Sequence, residues 1–330
     1  MRVIKPSVEL VGGNLNWEER PKHVELCGRV CYKSEARIAQ DSAGKFIAGL
    51  IHRGHEAVLE HARITLDMTK YPNEFDLLMN WCLRMQESGQ AHYLTYTRTC
   101  NRLVISGNVR AWRGLCKFAD GYTLFYPRAA TPPMWDNLCM LFKRMWHENS
   151  LFFPEYIRAD DLPIQDPLTD ANPRMFDDPA LRRVHSWYTL RFICDRGISH
   201  EIVRHRPASY CQESTRYCNY SKGAFNGEIT VIQPCFLEPD TSAYLHWADA
   251  CRLAETAYFA LLDDGLTAQE ARDVLPTSLK TELVMTATAE EWLHFLRLRT
   301  AEAAHPQMRE LANQVETILI GQDQEVFNEK

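Results

Sequence analysis

WYTLRFICDRGISHEIVRHRPASYCQESTRYCNY, Trp187 to Tyr220, changes character twice in one run. Trp187–Cys194 alternates in the manner of a strand. The residues that follow predict a turn at Gly197 and a helix from about Ser199 through Arg206. Pro207 stops that helix because it has no N–H to continue it. On such a helix Arg204 and His205 point about 100° apart, so they flank an extended ligand rather than serve one point charge. Beyond Pro207 come Ser209, Gln212, Ser214 and Arg216. Hydroxyls, an amide and a guanidinium together suit phosphate oxygens and the edge of a heterocycle. The plainer reading is a helix end whose cations complement its dipole, followed by a polar loop.

Working outward, DSAGKFIAGLIHRGHEAVLEH (Asp41–His61) reads as a helix capped by Asp41 or Ser42, with Phe46, Leu50 and Ile51 at helical spacing. Gly54 ends it, which leaves His55 and Glu56 on the following turn. In ARITLDM, Ile64, Leu66 and Met68 alternate with Arg63, Thr65 and Asp67, a strand with one face buried. EITVIQP is a further strand, and helices are expected over 242–264 and from near Ala268, Ala289 and Ala304. Strands first and helices after, without regular βαβ alternation, give an α+β fold: an antiparallel or mixed sheet with packed helices. Residues 69–184 read as a large, mainly helical insertion into a single domain. Its helices are NEFDLLMNWCLRM and PPMWDNLCMLFKRMW, and its segment Arg158–Pro179 reads as a long surface loop rich in Pro and Asp.

The bulk composition narrows the function. The chain has 330 residues and a formal net charge of -6, which leaves no broad basic footprint for nucleic acid or a membrane surface. The N-terminus carries no secretion signal and no apolar run is long enough to cross a bilayer, so a cytoplasmic protein is expected. An odd count of 11 cysteines suits reduced thiols. The spacings Cys27/Cys31 and Cys211/Cys218 are not CxxC, and His52, His55 and His61 cross from a helix into a strand, so no metal site is expected. Neither GxGxxG nor GxxxxGK[ST] occurs.

RHR, seven residues, Ser, then Arg and Tyr (Arg204–Tyr217) resembles the signature of the flavin-dependent thymidylate synthases. GRVCYKS (Gly28–Ser34), RGHEAVLEH (Arg53–His61), CDRGISHEIV (Cys194–Val203), ARDVLPTSLKTELVMT (Ala271–Thr286) and WLHFLRLRTAEAAHPQMRELA (Trp292–Ala312) resemble family segments too. The resemblance implies methylation of dUMP at C5, with a one-carbon unit from methylenetetrahydrofolate and a hydride from FAD reduced by NADPH. It also implies a homotetramer whose active sites are shared between subunits. Arg204, His205, Arg206 and Gln212 match flavin contacts, as do His55, Ala57 and Glu60 from a neighbouring subunit and His294 from the C-terminal helix. Glu201, Arg204, Gln212, Ser214, Thr215, Arg216, Arg272 and Arg299 match the nucleotide's surroundings, with Arg216 and Arg272 suited to its phosphate. Ser214 is expected to position the base rather than attack it. Arg299 is the expected activating group: a guanidinium cannot act as a base, but it can stabilise negative charge on the pyrimidine as N3 ionises.

Two readings stay open beside this one. dUMP hydroxymethylation is a related one-carbon transfer, and a non-catalytic nucleotide- or RNA-binding homologue could use the same residues. The chain also departs from the family pattern. Thr288 and Glu290 stand where members carry a flavin-contacting Asn and Arg, while GNVRAW in the insertion repeats that spacing in Asn108 and Arg110. Either Asn108 and Arg110 supply the missing flavin contacts, or Asn108 merely caps a helix that buries Trp112.

Overall fold

The alternating run at Trp187 becomes the central strand of one of two compact units in a computed structural model of the chain. The structure describes residues 1–68, 79, 83, 94–100, 102–125, 145, 146, 148–156 and 169–328. The strands, in chain order, are β1 (Arg2–Ile4), β2 (Ser7–Gly13), β3 (Arg63–Met68), β4 (Leu94–Thr99), β5 (Arg102–Asn108), β6 (Thr169–Asp170), β7 (Trp187–Asp195), β8 (Ser209–Gln212), β9 (Thr230–Ile232) and β10 (Lys280–Thr288). With their packed helices they give the mixed α+β class that the sequence predicts. The helices expected in NEFDLLMNWCLRM and PPMWDNLCMLFKRMW fall almost wholly outside the described residues.

The first unit comprises Met1–Gly12, Leu26–Arg37 and Tyr188–Lys330. Its main sheet runs β2-β7-β10-β8, with β8 antiparallel to β10 and Tyr210 opposite Met285. β7 and β10 are buried along nearly their whole length because helices Ala289–Arg299 and Pro306–Gln322 lay Trp292, Phe295, Met308, Leu311 and Val315 against them. The Trp292 indole N–H donates to the Tyr188 carbonyl (3.0 Å), which satisfies the one polar atom of a buried ring. A second core gathers Val231, Leu279 and Tyr258 of helix Ser242–Asp263 under the parallel pair β1 and β9.

One boundary departs from the sequence reading. The helix after β7 runs Arg196–Ile202, starting three residues early and ending before Arg204. The Asp195 side chain accepts from the Ile198 N–H (2.8 Å), so the cap sets the start, and Gly197 lies inside the helix rather than in a turn. A Cβ at Gly197 would come within 3.1 Å of the capping oxygen.

The second unit comprises Gly13–Glu25 and Ile38–Trp187. Helix Ser42–His52 ends as expected at Gly54, whose φ of 69° lies in the left-handed region that favours glycine. Its sheet runs β4-β5-β3-β6 in antiparallel pairs. Ile64, Leu66 and Ile105 face Ile47, Leu50 and Trp112. The opposite face was expected to be open, yet Arg63 and Thr65 are buried there as well. Residues expected to form a surface loop cover it: Thr169–Asp170 pairs with β3, and Phe176 is buried against Val104 and Leu181.

His185 at the end of helix Pro179–His185 closes that face, its Nδ1 2.7 Å from the Ser106 hydroxyl and its Nε2 2.9 Å from that of Thr97. Burial, with the nearby charges of Arg63 and Arg102, lowers its pKa from 6.5 to about 4. The folded state therefore holds it neutral while the unfolded chain protonates it near pH 6.5. Its stabilising effect is complete above that pH and is lost as pH falls toward 4, a loss of up to about 3 kcal/mol. Denaturant unfolding of His185→Gln should show a flatter decline in stability between pH 6.5 and 4.5 than the parent chain; an unchanged slope would refute the assignment.

Candidate active site

Three backbone bonds tighten the chain as it leaves helix Arg196–Ile202: Val203 N–H to Ser199, Arg204 N–H to Glu201 and His205 N–H to Ile202. The Tyr210 hydroxyl, reaching back from β8, donates to the carbonyls of His205 (2.5 Å) and Ile202 (3.0 Å). The triplet is thus a clamped turn, and its members alternate. His205 points inward at 5% exposure, while Arg204 and Arg206 are exposed. The expectation that these residues sit on a helix is corrected here.

His205 packs edge-on against Phe295, beside the ring of His294 at 5.3 Å. Its Nε2 lies 3.3 Å from a Glu291 carboxylate oxygen without a hydrogen bond's alignment. Burial, reinforced by the charges of His294 and Arg299, lowers its pKa to about 4, so the imidazole is neutral at physiological pH. The turn thus exposes two guanidiniums and buries the planar, uncharged ring that lies between them in sequence.

The residues expected around a nucleotide gather in the same unit. Gln212 ends β8 and its side-chain amide donates to Ser199 (2.8 Å) and Thr281 (3.2 Å). Ser214 opens the next turn, its N–H donating to the Cys31 carbonyl (3.0 Å) and its own carbonyl accepting from Cys218 (2.9 Å). Its hydroxyl accepts from the Arg216 backbone N–H (3.3 Å), and among the described residues no base hydrogen-bonds it. Arg272 donates to the Thr215 hydroxyl (3.4 Å). Arg299 donates to the Glu201 carbonyl (3.0 Å) and lies 3.7 Å from its carboxylate. Arg216 is exposed, with its guanidinium 5.6 Å from the Tyr217 ring centre.

Five expected flavin contacts belong to the other unit. There, His55 and Ala57 are exposed, and buried Glu60 pairs with the exposed Arg110 at 2.7 Å. Asn108 caps helix Val109–Phe125 by accepting from the Ala111 N–H (2.8 Å), and Trp112 is fully buried with its indole N–H on the Ile64 carbonyl. The helix-capping reading of GNVRAW is thus what the hydrogen bonds favour. Thr288 likewise caps helix Ala289–Arg299, and Glu290 is exposed in its first turn, where a carboxylate complements the helix dipole.

Sequence reasoning missed the support beneath this turn. The Glu213 carboxylate is buried and takes Lys280 at 2.8 Å; Lys280 also reaches Glu282 at 2.6 Å, and Lys33 closes on the same Glu282 oxygen. Burial opposes each charge, but the opposite charges prevail: the Lys280 pKa rises and the Glu282 pKa falls. Arg196 adds a bond to the Glu213 carbonyl (3.0 Å). The available signal was Lys280 and Glu282 at alternate positions of a strand that carries no other charge. Beside it, a hydrogen bond from Cys211 draws the Cys31 thiol below its usual pKa.

The profile of the family described as thymidylate synthase complementing protein matches residues 15–75 and 184–322. The chain belongs to that family. The matched spans contain RGHEAVLEH, the RHR turn, Arg272 and Arg299, and leave Asn108 and Arg110 outside. A flavin-dependent thymidylate synthase of Geobacter sulfurreducens is 34% identical over 134 residues, 41% of this chain and 56% of that protein. One from Pyrococcus furiosus is 34% identical over 119 residues, 36% and 48% of the two chains. One from Mycolicibacterium gilvum is 30% identical over 149 residues, 41% and 57%. The chain spans about half the length of the curated relatives it matches.

Lys280→Met strands the buried Glu213 charge and should cost about 3–5 kcal/mol in denaturant unfolding. Adding Glu213→Gln should restore part of that loss. A single-variant cost under about 1 kcal/mol would show that the ion chain does not support the turn.

Proposed function

We propose that this protein is a flavin-dependent thymidylate synthase that converts dUMP to dTMP with methylenetetrahydrofolate as carbon donor and NADPH-reduced FAD as hydride source. The observation that carries the reading is the convergence, within one unit, of Arg299 on Glu201, Arg272 on Thr215 and His205 on His294. These residues come from four separate stretches of sequence, and all fall within the family match.

The residues present fit a flavin dinucleotide. Arg204 and Arg206 are exposed cations suited to a pyrophosphate, and His205, buried against Phe295 and His294 and held neutral, anchors the turn that presents them. A bound flavin would supply hydride-transfer chemistry. His55, Ala57 and Glu60 would serve the flavin of a neighbouring protomer in a homotetramer, the assembly that the resemblance implies. Arg110, already paired to Glu60, is a candidate contact there; Asn108 has its side-chain oxygen committed to its cap. The segment about 69–184, most of it outside the family match, is proposed as an insertion into a single cytoplasmic enzyme domain.

For the substrate, Arg216 and Arg272 bind the phosphate of dUMP, and Gln212, Ser214 and Thr215 orient the nucleotide. Arg299 faces the pyrimidine. Its guanidinium stabilises the negative charge that develops as N3 gives up its proton, which makes C5 the better nucleophile. Glu201 orients Arg299 through its carbonyl and carboxylate. Ser214 Oγ, which accepts from a backbone N–H and hydrogen-bonds no base among the described residues, positions rather than attacks.

The test is product formation from dUMP, methylenetetrahydrofolate, NADPH and FAD, resolved by mass. dTMP is the expected product; 5-hydroxymethyl-dUMP, or no product from a folded flavin-loaded protein, would overturn the reading. Arg299→Ala should lower kcat by about 10²-fold or more while flavin retention is unchanged.

A further inference from the structure

The outer face of the second unit's sheet carries a feature that the proposed reaction does not use. Arg63 and Asn108 are direct partners across β3 and β5, so their side chains share that face, and both are at least nine-tenths buried. Among the described residues Arg63 has no ion-pair partner, and its Nε–H is buried without an acceptor. The carboxylates flanking it in sequence are engaged elsewhere: Glu60 by Arg110 at 2.7 Å, and Asp67 by Arg102 at 2.6 and 2.9 Å. The Asn108 side-chain oxygen is used by its helix cap, while its Nδ2 is buried and has no hydrogen-bond partner among the described residues. The Ser186 hydroxyl, next in sequence to the His185 that covers this face, and the Asn14 Nδ2, whose partner oxygen accepts from the Trp187 N–H, are also buried without hydrogen-bond partners among the described residues.

The residual polar atoms are almost entirely donors. Burial pushes the Arg63 guanidinium down to about 10, which leaves it cationic at neutral pH. A buried, unpaired cation is strongly destabilising, and each orphaned donor adds its own desolvation cost. A guanidinium with no ion pair among the described residues, and the orphaned amide donor of its cross-strand partner Asn108, are completed by a group with acceptors and negative charge.

We infer that Arg63 and Asn108 form a binding site for a small inorganic anion, of halide or orthophosphate size, between the β3–β5 face and the segment ending at His185. The anion neutralises the guanidinium and takes the Asn108 amide N–H. His185, fixed between two hydroxyls and neutral, walls the site without competing for the negative charge.

The test is thermal unfolding of the full chain at constant ionic strength in sodium gluconate, sodium chloride or sodium phosphate. For the parent, Tm should rise with the logarithm of chloride or phosphate concentration, by on the order of 5 °C over the gluconate value. Asn108→Asp keeps the helix cap and places a carboxylate opposite Arg63. It should raise Tm in gluconate and abolish the dependence on added anion. Arg63→Met should also abolish the dependence, which separates site binding from a general salt effect acting on all variants alike. Equal parental Tm in the three salts overturns the inference without any variant having to fold. So does an anion dependence that survives in Asn108→Asp.

Discussion

The buried chain of charges from Glu213 through Lys280 and Glu282 to Lys33 is the constraint on which the first unit's site depends. It fastens the turn after β8 to the adjacent strand β10 and to the segment that carries Cys31 and Lys33. Such a chain is weak evidence of net stability, because desolvation offsets much of the Coulombic gain. Its effect is on position. With Gln212 opposite Leu283 and the Glu213 N–H on the Glu282 carbonyl, the strand can end in only one register. Ser214, Thr215 and Arg216 then emerge in fixed order, with Arg272 already in contact. A turn of polar residues alone would have no reason to keep that arrangement.

The same logic, in which burial decides protonation and protonation decides use, governs the RHR triplet. Tyr210 pins the backbone so that the middle residue turns in and the outer two turn out. The inward imidazole is held neutral chiefly by its burial, and the two guanidiniums face outward. The proposed flavin site draws on both results, and neither follows from three consecutive basic residues read as a string.

Much of this was legible before the structure. The alternation at Trp187–Cys194, the stop at Gly54 and the helices of the C-terminal part are local features, which sequence states directly. What was hidden depends on partners far along the chain. The helix at Arg196 begins early because one carboxylate caps it, and a cap competes with periodicity at a boundary. Arg63 and Thr65 looked solvent-facing, since alternation marks two faces without saying what covers the second. Asn108 allowed two readings, and the cap among them became visible only with the Ala111 N–H on its oxygen. Glu213 passed as one more polar residue, because nothing local announces a lysine sixty-seven positions away.

The central claim is that one site holds a flavin and a pyrimidine nucleotide together, and the visible absorbance of the flavin-loaded protein during a dUMP titration tests it most directly. The account predicts a saturable perturbation of the flavin bands by dUMP that is weakened in Arg216→Ala. A flavin spectrum that does not respond to dUMP, in protein shown to be folded, would contradict it.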